Sequence, residues 1–261
     1  MSHRFTHALV RPPGRCFADG LTTVDLGAPD LAVALEQHAA YCRALDACGL
    51  EVIHLPADDA FPDSTFVEDT ALLVGRRALL TRPGAPSRAG EVAAIAPALA
   101  PFYAELDRIE PSGTLDGGDV CETDRLVLIG LSERTNVEGA RQLARWLAAA
   151  GIPSATIDIH EVPGILHLKS GLSWLGDGRL AVIPALAGHP ALAGFERVTV
   201  EPGESYAANC VRINDRVLVA AAHPRFEAAL RQCGYAPLPL AMSEFARMDG
   251  GLTCLSLRFA A

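Results

Sequence analysis

Near the end of the chain stands a cysteine introduced by two glycines, in the run Asp249-Gly250-Gly251-Leu252-Thr253-Cys254, with a strand-like tail over residues 255–259 behind it. A thiol on rigid structure, beside glycines that leave room for an approaching group, suits covalent catalysis. Cysteine is also among the most buried residue types, so packing is the alternative role for Cys254 taken alone. A cysteine nucleophile needs a proton carrier, and His167 in Leu166-His167-Leu168-Lys169-Ser170-Gly171 is the candidate. Carboxylates gather in the same kind of place. Asp63 and the pair Glu68-Asp69 precede one hairpin pattern, and Asp116 and Asp119, separated by two glycines, open another. Each has an ordinary alternative: a turn aspartate, a solvated strand edge, a hairpin turn, a core histidine.

The elements that must bring these residues together repeat. Residues 69–83 read as strand, Gly-containing turn and strand, followed by a helical stretch over residues 87–103. Residues 118–130 repeat the hairpin and residues 136–150 the helix, in which Ala140, Leu143, Ala144 and Leu147 recur at helical spacing. The hairpin returns over residues 171–184 and 209–220, the latter backed by a helix over residues 226–232. Short strands over residues 51–55, 154–158 and 197–200 add a third member to each unit. The last strand, within residues 252–259, is placed to pair with the first, within residues 5–11, and close a ring. A period of roughly 40–50 residues is typical of propellers and arrays, and the helices rule out an all-β propeller. The expectation is one α/β domain of five β-rich units around a pseudo-axis, with a plain doubly wound sheet as the alternative. Gly117-Gly118 lacks the spacing of a dinucleotide fingerprint. In such a ring the start of each hairpin lies near the axis, which gathers Glu68-Asp69, Asp116, Asp119, His167, Tyr206, Asn209, Asp249 and Cys254 into one candidate site.

Bulk properties bound the partner. The chain of 261 residues is 50% hydrophobic and 20% charged, enough for a well-filled core. A net charge of −9 argues against a nucleic-acid surface and suits a cationic ligand. The opening residues lack the apolar region of a leader peptide, and no run approaches the roughly 20 apolar residues of a membrane span. Seven scattered cysteines without a Cys-x-x-Cys pair read as free thiols in a reducing compartment, so a cytoplasmic location is expected.

Six segments in order resemble the dimethylarginine dimethylaminohydrolases of the guanidino-group-modifying pentein superfamily: Phe66-Val67-Glu68-Asp69-Thr70-Ala71-Leu72, Leu115-Asp116-Gly117-Gly118-Asp119-Val120, Arg134-Thr135-Asn136, Leu166-His167-Leu168-Lys169, Ser205-Tyr206-Ala207-Ala208-Asn209 and the Cys254 run. The resemblance spans about residues 20–259. It implies a five-bladed pseudo-symmetric α/β propeller (the pentein fold) as one catalytic domain over residues 1–261. The implied reaction is hydrolysis of Nω-methylated arginine to citrulline and dimethylamine or methylamine, through a covalent S-alkylthiouronium on Cys254. In that scheme His167 is the general acid/base, and Asp69 and Asp116 grip the guanidinium. Arg88 and Arg134 hold the substrate α-carboxylate. The carbonyls of Leu21 and Met248, with Asp63, lie near the α-ammonium end, and Glu68 supports the cluster. Several bacterial relatives carry Glu where this chain has Asp116, so the guanidinium is expected to sit slightly differently. The loop around Pro29 and Asp30 is less recognisable.

The resemblance implies a small-molecule substrate, a monomer or homodimer, no cofactor and no resident metal. Zinc captured by the Cys–His pair is expected to inhibit. Two other functions stay open: arginine deiminase-type hydrolysis of unmethylated arginine, and a non-catalytic binding protein on the same fold, like the ribosome anti-association factor.

Overall fold

Tight turns and helical crossovers alternate along the chain, and together they build the same small sheet five times. The structure, a computed structural model, describes residues 4–261; Met1, Ser2 and His3, which open the segment read as carrying no leader peptide, lie outside the described residues. The first sheet holds β1 (His7–Val10) and β2 (Glu51–His54). The second holds β3 (Ala71–Val74), β4 (Arg77–Leu80) and β5 (Leu106–Arg108). The third comprises β6 (Val120–Glu122), β7 (Val127–Leu131) and β8 (Ser154–Asp158). The fourth comprises β9 (Leu172–Gly176), β10 (Arg179–Val182) and β11 (Glu196–Thr199). The fifth comprises β12 (Val211–Ile213), β13 (Arg216–Ala220) and β14 (Pro237–Leu240). Finally β15 (Leu257–Phe259) returns to β1, pairing Phe259 with His7 and Leu257 with Leu9. The expected ring closure is therefore present.

Every sheet has an antiparallel pair and a third strand parallel to its middle member. The antiparallel pairs are hairpins where the turn chemistry allows. Asp177 and Gly178, both at positive φ (54° and 72°), make the two-residue turn whose twist matches the strands it joins. A parallel third strand cannot follow a tight turn and needs a crossover, and helices supply it. Leu31–Ala47 leads to β2, Val137–Ala148 to β8 and Pro224–Gln232 to β14. Adjacent sheets share apolar clusters: Leu9, Val67, Leu80 and Phe259 between the first and second, Leu72, Leu79, Val127 and Ile129 between the second and third. This is the five-bladed α/β arrangement anticipated above.

One local expectation is corrected, and further elements join those expected. The helix over residues 87–103 is broken into 3-10 turns Pro86–Arg88 and Glu91–Ala94 and a short helix Ile95–Leu99. Gly90 packs its Cα against the Phe61 ring, and Pro97 sits where a longer helix would need a donor. The helix Leu31–Ala47 is an element the repeat reading did not assign; Asp30 caps it, accepting from the N–H groups of Ala32 and Val33. Strands β5 and β14 are additional. β14 tolerates Pro237 and Pro239 because it lies at a sheet edge, where a missing donor costs no ladder bond on the outer side.

A single helical turn precedes the inner strand in four blades at the site: Val67–Thr70 before β3, Gly117–Asp119 before β6, Leu168–Gly171 before β9 and Thr253–Leu255 before β15. The fifth blade has the longer 3-10 run Pro202–Ala208 before β12. Short turns of this kind put side chains at the ring axis while the strands run away from it. Among the described residues no helix is long and apolar enough to cross a membrane.

Candidate active site

The turns deliver Asp69, His167 and Cys254 to one cleft, whose walls also include Leu21, Asp63, Arg88, Arg134 and Met248. Cys254 lies in the 3-10 turn after Gly250 and Gly251, is 9% exposed, and receives the Gly251 N–H on its sulfur at 3.4 Å. Burial above all, then the carboxylates of Glu68 and Asp69, push its thiol up to about 12. A buried thiol facing negative charge keeps its proton.

His167 opens the turn Leu168–Gly171, and its Nε2 lies 3.0 Å from Asp116 Oδ2. Burial alone would lower its imidazole, but Asp69, Asp119 and the bond to Asp116 outweigh that and raise it to about 9. At neutral pH it is an imidazolium. Asp119 contributes from below: one oxygen accepts the Leu168 N–H at 2.9 Å and the other the Ser132 hydroxyl at 2.6 Å. Gly118 is forced by this crowding. A Cβ there would lie 2.8 Å from the His167 ring and 2.9 Å from Asp69 Oδ1.

Asp69 accepts the Gly118 N–H at 2.8 Å and Arg88 Nη1 at 2.6 Å. Burial opposes its charge, yet His167 and Arg88 hold it well below the usual carboxylate range. Ligand atoms of Asp69, Asp116 and His167 lie within 4.8 Å of one another. Their oxygens already hold partners, Arg88 and the Gly118 N–H on Asp69, His167 and the Gly84 N–H on Asp116, and a protonated His167 is no metal ligand.

The remaining predicted residues divide. Arg134 is half-buried on the cleft wall, and its guanidinium makes no hydrogen bond or ion pair among the described residues. Arg88 reaches the same cleft but is heavily committed: Nε and Nη2 bind Glu91 at 3.0 and 2.8 Å, Nη1 binds Asp69 and Nη2 also reaches the Phe66 carbonyl. Asp63 accepts the Leu21 N–H on both oxygens, at 3.1 and 3.2 Å, and burial raises its carboxyl despite Arg88. Leu21 is 41% exposed at the rim and Met248 is buried.

Two of the predicted carboxylates do not line the cleft. Asp116 is fully buried and absent from the cleft lining; Gly84 N–H takes Oδ1 at 2.8 Å and His167 takes Oδ2. Its carboxylate therefore reaches the cleft only through the imidazole it binds. Glu68 faces a second, wider cavity of about 750 Å³, where Lys169, Arg258 and the Thr253 hydroxyl bind it at 2.6, 2.9 and 2.8 Å. Consecutive residues therefore face different cavities: Asp69 and Cys254 the cleft, Glu68 and Thr253 the other.

A family model described as arginine deiminase matches residues 59–205. The N(G),N(G)-dimethylarginine dimethylaminohydrolase of Pseudomonas aeruginosa is 42% identical over 256 residues, covering 98% of this chain and 100% of the relative. That of Streptomyces coelicolor is 38% identical, with 96% of each covered. The chain belongs to the dimethylarginine dimethylaminohydrolase family. Among solved dimethylarginine dimethylaminohydrolases, a cysteine-to-serine variant of the P. aeruginosa protein complexed with citrulline superposes with a TM-score of 0.95, at 41% identity over 98% of this chain and 100% of that one. The amino-terminal domain of a cyanobacterial arginine dihydrolase shares the fold, with a TM-score of 0.82 at 18% identity over 97% of each chain.

Within the dimethylarginine dimethylaminohydrolase site, sequence reasoning passed over Glu91 as the partner of Arg88. Their i, i+3 spacing on a helical stretch was a usable signal. Thr253 and Lys169 were visible only as flanks of more reactive neighbours.

Proposed function

We propose that the chain hydrolyses Nω-methylated arginine to citrulline, releasing dimethylamine or methylamine, with Cys254 as nucleophile and His167 as general acid and then base. The observation that carries this reading is the convergence of a protonated thiol, an imidazolium and a firmly ionised Asp69 on one cleft with an uncommitted guanidinium, Arg134, on its wall.

The substrate's guanidinium is planar, cationic and a poor electrophile. Asp69 binds an N–H edge of it through charge-assisted bonds and fixes its plane. The arriving cation also stabilises a thiolate, so Cys254 gives up its proton to solvent as the complex forms and its sulfur attacks the central carbon. The tetrahedral adduct collapses when His167 passes its proton to the departing nitrogen, which leaves as the neutral amine. His167, now neutral and oriented by Asp116, takes a proton from water; the resulting hydroxide adds to the S-alkylthiouronium, and the adduct expels the thiolate while its hydroxyl proton passes to solvent, leaving the neutral urea group of citrulline. Acid–base assistance of this kind contributes roughly 10²- to 10⁴-fold, with orientation and the covalent intermediate supplying much of the rest.

Arg134 pairs with the α-carboxylate, assisted by the one Arg88 N–H left unused. Asp63 and the Leu21 and Met248 region receive the α-ammonium end. Citrulline release from asymmetric dimethylarginine, monomethylarginine and arginine tests the reading. Turnover of the methylated substrates is expected, with loss of about 10³-fold or more in Cys254→Ser. Mass spectrometry of quenched reactions should find the adduct on the Cys254 peptide. Absence of citrulline from all three substrates, or an active Cys254→Ser protein, would sink the reading.

A further inference from the structure

Asn209 is 6% exposed and stands between the 3-10 run Pro202–Ala208 and β12, on a blade that contributes no reacting group. Its Oδ1 accepts the Thr253 N–H at 2.9 Å, and its Nδ2 donates to Thr253 Oγ1 at 3.1 Å and to the Lys169 carbonyl at 3.0 Å. Thr253 immediately precedes Cys254, and Lys169 lies two residues after His167 within the same turn. One buried amide thus joins the turn that carries the thiol to the turn that carries the imidazole. Gly251 is shaped around it, since a Cβ there would lie 2.4 Å from Asn209 Cγ. The Thr253 hydroxyl passes the restraint on by donating to Glu68 Oε2 at 2.8 Å, and Lys169 Nζ and Arg258 hold that carboxylate in turn. Tyr206, from the same blade, fixes the Gly250 carbonyl at 2.8 Å.

We propose that Asn209 is a positioning residue that sets the Cys254 thiol against His167, acting through Thr253 on one side and the Lys169 carbonyl on the other. This rests on the reaction proposed above. An amide side chain is suited to the task because it donates and accepts at once, satisfying an N–H, a hydroxyl and a carbonyl that the two turns leave over. Misplacing a reacting atom by about 1 Å can cost roughly 10²-fold in rate, so loss of the tie acts on turnover more than on binding.

Steady-state kinetics and cysteine alkylation test it together. Asn209→Ala and Thr253→Val should each lower kcat by about tenfold or more with KM within about threefold, whereas Thr253→Ser, which keeps the hydroxyl, should stay within about threefold of the native kcat. The double variant should be no slower than the slower single one, because both sever one network. Iodoacetamide at about pH 9 should label the Cys254 peptide several times faster in Asn209→Ala, with the buried Cys121 and Cys210 peptides still protected. If Asn209→Ala exposes Cys121 and Cys210 as well, the two Thr253 variants decide. A Thr253→Val kcat within about threefold of native, or an equal loss in Thr253→Ser, overturns the proposal. A native protein that releases no citrulline refutes the reaction instead, and the labelling contrast then still reports on Asn209.

Discussion

Burial together with Glu68 and Asp69 keeps the Cys254 proton in place, so the charge that creates the nucleophile must arrive with the ligand. Iodoacetamide labelling of Cys254 in the ligand-free protein should accordingly be slow near neutral pH and climb steadily toward about pH 12, unlike that of an exposed thiol. His167 has the opposite sign. Its raised imidazole is charged below about 9 and loses the proton as pH rises through that value, so kcat/KM should fall on the alkaline side near pH 9. Asp116→Asn removes one of the raising carboxylates and should move that limb to lower pH, measured as the pH profile of citrulline release. Arg134→Ala should raise KM for monomethylarginine about 10-fold or more while kcat changes little; an unchanged KM would remove the carboxylate role. The residue types of Cys254, His167 and Asp69 announced their chemistry in the sequence. Which neighbour each carboxylate oxygen faces did not, because that depends on how turns of separate blades meet: Asp116 is tied to Gly84 and His167, and Glu68 to Lys169, Arg258 and Thr253.

At the level of elements, the site depends on turns short enough to present one side chain and then yield to a strand. Gly118 marks the tightest of these approaches. Gly118→Ala should press on the His167 ring and Asp69, lowering kcat more than tenfold and costing about 1–3 kcal/mol of stability in denaturant titration. A variant with native kcat and stability would mean the turn can relax without moving the imidazole. Hairpins were legible in the sequence because Gly75, Asp177-Gly178 and Asn214 mark their turns, each at positive φ. The helix Leu31–Ala47 was obscured because its apolar positions are spread round the helix, with Val33 and Leu35 exposed and only a capping Asp30 to announce it. Strand β14 was hidden by its prolines, which an edge tolerates and a central strand would not.

The whole molecule repeats one sheet five times, and that repetition was readable from the spacing of hairpins alone. What spacing could not convey is how unequal the blades are in use: four lend a turn to the cleft or its floor through reactive side chains, while the blade of β12–β14 lends only Tyr206 and Asn209. The closure between β1 and β15 carries a separate implication. Thr6 N–H reaches the Phe259 carbonyl at 3.0 Å and Ala261 N–H reaches the Thr6 hydroxyl at 3.0 Å, so the two extremities of the described chain are neighbours. A short linker can splice them, and new termini can be cut at the open Gly75 bend, where an added Cβ would touch nothing within 4 Å. Such a circular permutant should refold and release citrulline, with its thiol now in mid-sequence: connectivity is exchangeable here so long as the circle of sheets is complete.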